Sequence, residues 1–396
     1  MKPLRIAVYH DLPSGGAKRA LREQVRRLVE RGHDVHVYVP STADERFLPL
    51  SELAGEPTVF ARPPQPDREK ALEGGPSPAA ALRWLSYLAG VRRTEHQAAS
   101  AIDAAGHDVA LVAASQFTQA PWMLRRLSTP SLYYCQEPLR AAYEPRIAPP
   151  ATRFAIRHTL GRVDRANTRA ASTVAVNSRF SAGNVGRIYG VATRVNYLGV
   201  DAARFRPLPR PERGGYLLTV AAMHPLKGLD FLIDAVGRIP ADERPPLAVV
   251  SDRAREAERA RVEARARDAG VDVHFHFRVP EEELVRLYNG ARLVVYAPYA
   301  EPFGFVPLEA MACARPVLGV AEGGIPETVV DGETGFLAPR DPDAFAARIR
   351  ELLRDSTRAE AVASAAPAIV RERWNWARSV AGLDGLLRET AALRKR

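Results

Sequence analysis

At 396 residues the chain is long for one hydrophobic core, so two domains are the default expectation. Its hydrophobic content of 46% is ordinary for a globular protein, and it has neither a run of about eighteen apolar residues nor a charged-then-apolar leader, so no membrane span or secretory signal is expected. The formal charge is +10, but only Lys2, Lys18, Lys70, Lys227 and Lys395 among the 56 basic residues are lysines, so the charge reads as arginine-biased composition rather than a nucleic-acid footprint.

Residues 5–9 (RIAVY) have the composition of a buried strand, and Pro13-Ser14-Gly15-Gly16 forms a turn. From Ala17 to Arg31 the apolar residues Ala20, Val25, Leu28 and Val29 fall at helical spacing; Gly32 ends that helix and Val35–Val39 is the next strand. This is a βαβ unit with a glycine turn at the helix N-terminus. Residues 61–80, rich in proline and glycine, read as a loop, followed by an alanine-rich helix to about Ala105. Strands are expected at Val109–Ala113, Ser131–Cys135 and Thr173–Val176, with one helix over Ala151–Ala170. Asn196–Arg213, with Pro207, Pro209 and Pro211, reads as a linker. The alternation then restarts: strand Tyr216–Val220, helix Gly228–Ile239, strand Leu247–Val250, helix Glu256–Ala269, strands Val273–Phe277, Leu293–Tyr296 and Pro316–Val320, and a terminal helix from Trp374 to about Ala392. The fold class expected is α/β, with two doubly wound Rossmann-like domains facing a cleft.

The densest chemistry lies in Glu301–Leu337, EPFGFVPLEAMACARPVLGVAEGGIPETVVDGETGFL. Glu301 and Glu309 bracket the turn Phe303-Gly304-Phe305, and a second glycine turn, Gly323-Gly324, follows a strand. Strand, glycine turn and helix start in succession aim backbone N–H groups and carboxylates at a polar, phosphate-bearing ligand. Lys227, in HPLKGLDFLI, follows a strand and opens a helix, where a cation can meet a diphosphate. The plainer readings are a solvated lysine and two acids that charge helix N-termini.

This stretch resembles the donor-site motif of glycosyltransferase family 4, in which two glutamates eight positions apart flank a Phe-Gly turn. RGHDVHVYV, VNSRFS and NYLGVDAARF also resemble the family, whereas residues 45–170 do so only weakly. The resemblance implies the GT-B architecture, with an acceptor-side domain over 1–200, a nucleotide-sugar domain over 201–372, and residues 373–396 packing back on the first. It implies that Lys227 contacts the donor diphosphate, Glu301 binds sugar hydroxyls, Phe303, Gly304 and Phe305 supply the turn, and Glu309, at the start of a helix, accepts the ribose hydroxyls. Gly15 and Gly16 would approach the donor, and Arg278 and Val279 its base.

Several positions depart from the family. Ala222 stands where an arginine is usual, with His224 nearby as either a substitute or a surface histidine. Phe277 and Ser251 replace glycines, and AASQ (residues 113–116) lacks the usual histidine, leaving Gln136 and Glu137 as acceptor-side candidates. The family implies a retaining, metal-independent transfer from a nucleoside-diphosphate sugar, with no cofactor, to a glycan, lipid-linked or small-molecule hydroxyl. Asp341-Pro342-Asp343 formally matches a metal-binding Asp-x-Asp but reads as a helix N-cap. Cys135 and Cys313 form no motif, which fits a reducing, cytoplasmic location and no cysteine metal site. The arginines of 151–170, with Phe154, Ile156, Leu160 and Val163, suit either contact with a membrane surface or packing on the chain's own domain. A nucleotide-sugar epimerase and a non-catalytic sugar-nucleotide or polyanion binder are the alternatives. A nicotinamide oxidoreductase is disfavoured, because the first turn lacks the spaced glycines.

Overall fold

The computed structural model describes residues 2–46, 48–63, 65–66, 78–209, 214–252 and 256–393. Most of the loop expected over 61–80, and residues 210–213 of the linker, lie outside them. The chain divides into two compact units: residues 1–177, 181–196 and 380–396 form one, and residues 178–180 and 197–379 the other.

The first unit is built on seven strands: β1 Arg5–Asp11, β2 Asp34–Pro40, β3 Thr58–Phe60, β4 Val109–Ser115, β5 Ser131–Tyr134, β6 Thr173–Val176 and β7 Arg194–Val195. They lie in the order β3-β2-β1-β4-β5-β6-β7, every pair parallel. Strands covered on both faces are apolar through their middles, and Ile6, Ala7, Val8, Val109, Ala110 and Leu111 are all fully buried. The Gly16–Glu30 helix turns Ala20, Leu21, Val25 and Leu28 inward, and Gly32 ends the connection at φ 84°.

The second unit has six parallel strands: β8 Leu217–Val220, β9 Leu247–Ser251, β10 Val273–Phe277, β11 Leu293–Tyr296, β12 Val317–Val320 and β13 Phe336–Ala338. Their order is β10-β9-β8-β11-β12-β13. Both sheets are doubly wound and Rossmann-like. In each, the order reverses between two adjacent strands, β1 and β4 in one and β8 and β11 in the other. The crevice beyond the carboxyl ends of such a strand pair is where open α/β sheets bind ligands.

Three expectations change. The single helix over 151–170 is two, Pro150–His158 and Leu160–Ala170, broken at Thr159. The helix carrying Glu309 starts at Phe305, so Glu309 lies in its second turn and not at its start. The linker is partly structured: Asn196 N donates to Val176 O at 2.8 Å, and Val200 N to Trp374 O at 2.7 Å. The terminal helix runs Trp376–Ala391, and from Val380 onward it belongs to the first unit. There Asp384 meets His33 at 3.3 Å, Arg388 donates to the Lys2 carbonyl at 2.8 Å, and Thr390 meets Thr173 at 2.8 Å. Among the described residues, no helix is long and apolar enough to cross a membrane.

Candidate active site

The reversal of strand order in the second unit brings two loops together. After β8 the chain makes a short 3₁₀ turn, Pro225–Lys227, in which the His224 ring accepts from Leu226 N. Gly228, at φ 69°, then starts the Leu229–Gly237 helix. After β11 the loop Ala297–Gly304 carries Glu301. Tyr299 N donates to Leu226 O at 2.8 Å, which ties the loops, and Lys227 Nζ lies 2.9 Å from Glu301 Oε2. The two residues singled out for chemistry, 74 positions apart, therefore form an ion pair over the carboxyl ends of β8 and β11.

Glycines set how closely these loops approach. A Cβ on Gly228 would lie 1.9 Å from Ala297 O, inside any contact distance. One on Gly323, at φ 66°, would lie 2.6 Å from Glu301 O, and one on Gly324 would lie 2.3 Å from Pro302 O. Gly324 N also donates to Glu301 O at 2.8 Å. The glycine pair thus supports the backbone that carries Glu301. Arg340, inconspicuous in sequence among so many arginines, completes the support. It donates to Ala297 O (2.9 Å) and Pro298 O (2.7 Å), pairs with Glu322 (2.7 Å) and stacks over the Tyr299 ring at 3.8 Å.

The Tyr296 hydroxyl hydrogen-bonds Glu301; burial, and then the Glu301 charge, hold this phenol well above its ordinary pKa. Glu309 is 5% exposed and accepts from Tyr288 Oη at 2.7 Å. Phe303 is buried, with its ring 5.5 Å from Phe305 and 5.7 Å from Trp374, so its side chain anchors the turn and Gly304 caps the following helix at φ 90°. Arg278 is exposed at the end of β10, in a left-handed conformation (φ 52°), and its N–H donates to Ser251 O at 3.0 Å; Val279 beside it is half-buried. Ala222 is exposed. Asp341 caps its helix, accepting from Ala344 N at 2.8 Å, and no group of three or more His, Cys, Asp or Glu suited to a metal occurs among the described residues. Glu327, not singled out beforehand, accepts from Arg179 N (2.9 Å), Phe180 N (2.8 Å) and Tyr197 Oη (2.7 Å).

The first unit has its own cavity, of about 340 Å³, at the carboxyl ends of β1, β4 and β5. Gln136 and Glu137 both line it, and Pro13 and Ala17, on either side of Gly15-Gly16, line it too. Gly15 adopts φ 140°, a conformation that disfavours any side chain. Beneath the cavity lies a buried network that the sequence did not reveal. Asp11, at the end of β1, accepts from Arg62 Nη1 at 2.5 Å and from Thr42 Oγ1 at 3.2 Å. Arg62 also faces Glu95 at 3.6 Å. One guanidinium thus faces two carboxyl groups. Burial pushes Glu95 up to about 8, so Glu95 keeps its proton at neutral pH. Nearby, Glu45 pairs with Lys18 and with His10 (2.9 Å); burial opposes its ionisation, but these hydrogen bonds outweigh it and hold the carboxyl at about 2. The Pro150–His158 helix buries no residue, and Phe154 is 65% exposed.

Residues 201–368 match the family described as "Glycosyl transferases group 1". The second unit carries a group 1 glycosyltransferase domain. Two curated relatives, both named D-inositol 3-phosphate glycosyltransferase, bracket the similarity. That of Acidothermus cellulolyticus is 33% identical over 216 residues, 52% of this chain and 48% of that protein. That of Saccharomonospora viridis is 28% identical over 425 aligned positions, 98% of this chain and 95% of that protein. The chain thus spans about half the length of the first relative in the region matched. Among solved structures, the Anabaena protein HepE, crystallised with UDP-glucose, aligns with a TM-score of 0.71 at 22% identity, covering 98% of this chain and 100% of that one. That likeness shows the shared GT-B fold.

Proposed function

We propose that this protein is a retaining glycosyltransferase that moves a sugar from a nucleoside-diphosphate sugar to a hydroxyl acceptor. The observation that carries the reading is the Lys227–Glu301 pair at the reversal point of the second sheet. The pair is a resting arrangement suited to exchange. A donor diphosphate draws Lys227 away from Glu301 and receives its charge as the bond to the sugar breaks, when negative charge grows on the leaving phosphate. The freed carboxylate is an acceptor-only group able to take two sugar hydroxyls. Glu309, buried against Tyr288, is not poised as an acid/base partner of Glu301. The reading therefore uses no glycosidase-like carboxylate pair. Instead the acceptor hydroxyl bonds to the anomeric carbon on the face from which the phosphate departs, and its proton passes to the leaving phosphate oxygen. The acceptor enters the first unit's cavity, beside Gln136 and Glu137. HepE, of the same fold, holds UDP-glucose, which supports a nucleotide-sugar donor here.

The test is transfer activity, with a panel of UDP-, GDP-, ADP- and TDP-sugars, of the wild type and of Lys227→Ala and Glu301→Ala. Each substitution is expected to lower kcat by about 10²–10³, the cost of removing one transition-state donor or charge, with the melting temperature little changed. Full turnover by both variants would sink the proposal. Release of an isomerised free sugar would point instead to epimerisation.

A further inference from the structure

We infer that the acceptor is an uncharged polyhydroxylated molecule of about monosaccharide size, and that phosphate monoesters are excluded. This rests on the transferase reading and on the first unit's cavity as the acceptor's place. The two relatives above are named for a phosphorylated inositol; the chemistry of this cavity differs from what such an acceptor needs. Its described polar lining includes four amides, Gln24, Gln116, Gln119 and Gln136, and two carboxylates, Asp11 and Glu137, with no lysine or arginine among the lining residues. Two arginines reach these acids, and both are paired with them. Arg62 donates to Asp11 at 2.5 Å and is fully buried beneath it, and Arg140 pairs with Glu137 at 3.3 Å. Lys18, at the start of the adjoining helix, is 0% exposed and held by Glu45.

Hydroxyl groups suit this lining. Glutamine side chains both donate and accept, and carboxylates accept from hydroxyls, which is how polyols are held. Two of the amides are already oriented, Gln116 Nε2 toward Asp11 Oδ1 at 3.4 Å and Gln119 Nε2 toward the Glu137 carbonyl at 3.0 Å. A phosphate monoester brings about 1.5–2 negative charges at neutral pH. It would lose its hydration beside two carboxylates, and among the described lining the compensating feature is the N-terminus of the Gly16–Glu30 helix, a weak partial charge compared with an arginine fork. The volume of about 340 Å³ is at the small end of ligand pockets, which run from about 300 to 1,000 Å³.

The experiment uses the full chain and whichever panel donor it consumes. Acceptors are paired: myo-inositol with D-inositol 3-phosphate, and glucose with glucose 6-phosphate. In at least one pair the unphosphorylated member is expected to have at least tenfold higher kcat/KM. Gln116→Arg, and separately Gln136→Arg, are expected to shift that ratio at least tenfold toward the phosphate ester. Equal or faster transfer to the esters by the wild type overturns the inference, as does a ratio unmoved by both variants. Donor hydrolysis without transfer to any of the four overturns the polyol class and leaves the transferase reading standing. A chain that neither binds nor consumes any donor overturns the transferase reading itself.

Discussion

The close approach of the two loops in the second unit can be measured by substituting two glycines that share a backbone conformation. Gly228 (φ 69°) and Gly332 (φ 76°) both lie in the left-handed region. A side chain at either costs about 1–2 kcal/mol of backbone strain. They differ in what the added carbon meets: nothing within 4 Å at Gly332, but Ala297 O at 1.9 Å and Ala297 C at 2.9 Å at Gly228. A backbone carbonyl cannot rotate away as a flexible side chain can, so the loop must move, at an overpacking cost of about 1–3 kcal/mol. Gly332→Ala should therefore destabilise the second unit by about 1–2 kcal/mol and Gly228→Ala by about 2–5 kcal/mol. Urea titration read by hydrogen-exchange mass spectrometry on β8 and β11 peptides reports that unit alone. Because displacement of Ala297 also moves Glu301 relative to Lys227, Gly228→Ala should lose activity even at urea concentrations where it is fully folded. Equal destabilisation by the two substitutions would refute the claim that close approach, and not conformation alone, requires glycine at 228.

Arg340→Ala removes charge-assisted hydrogen bonds to Ala297 O and Pro298 O and should cost about 2–3 kcal/mol; an unchanged urea midpoint would show that the loop holds itself. Glu45, held at about 2 against an ordinary 4.5, adds stability that is fully present above pH 4.5 and is lost as pH falls toward 2. Glu45→Gln should flatten the acid-unfolding curve in that window, and an unchanged slope would contradict the pairing with Lys18 and His10. Glu95 has the opposite sign: with its folded value raised to about 8, the native state holds the extra proton, so stability falls as pH rises from 4.5 to 8. Glu95→Gln should therefore gain on the wild type across that range in pH-dependent thermal melts, and parallel curves would show that Glu95 is ionised in the folded protein.

Residue periodicity made most strands of both sheets readable, because buried parallel strands such as LVVY (Leu293–Tyr296) are apolar runs bounded by polar turns. It failed where elements are short, as at β3, β7 and β13, which have three residues or fewer. It also failed at Thr159, where the helix breaks at a threonine and Gly161 falls just inside the next helix. The misplaced start of the Glu309 helix had a signal: Pro307 suits a first helical turn, which puts the N-terminus near Gly304. Lys227 and Glu301 were recognisable one by one, but their pairing depends on β8 and β11 lying side by side, a property of strand order that local sequence does not carry. Asp11, Arg62 and Glu95 stayed hidden for the same reason. They are brought together from a strand, a loop and a helix, and each alone reads as an ordinary charged residue.

The division of the terminal helix at Val380 bears on how the chain matures during synthesis. Domains ordinarily fold in the order in which they are made. Here the unit that contains residues 1–177 also takes in Val380 onward, with Asp384, Arg388 and Thr390 closing on His33, Lys2 and Thr173. A segment made before residues 197–379 is therefore completed by one made after them. Meanwhile residues 197–379 form a contiguous stretch that can complete its sheet without the final helix turns. The second unit should thus finish folding before the unit that precedes it in the chain.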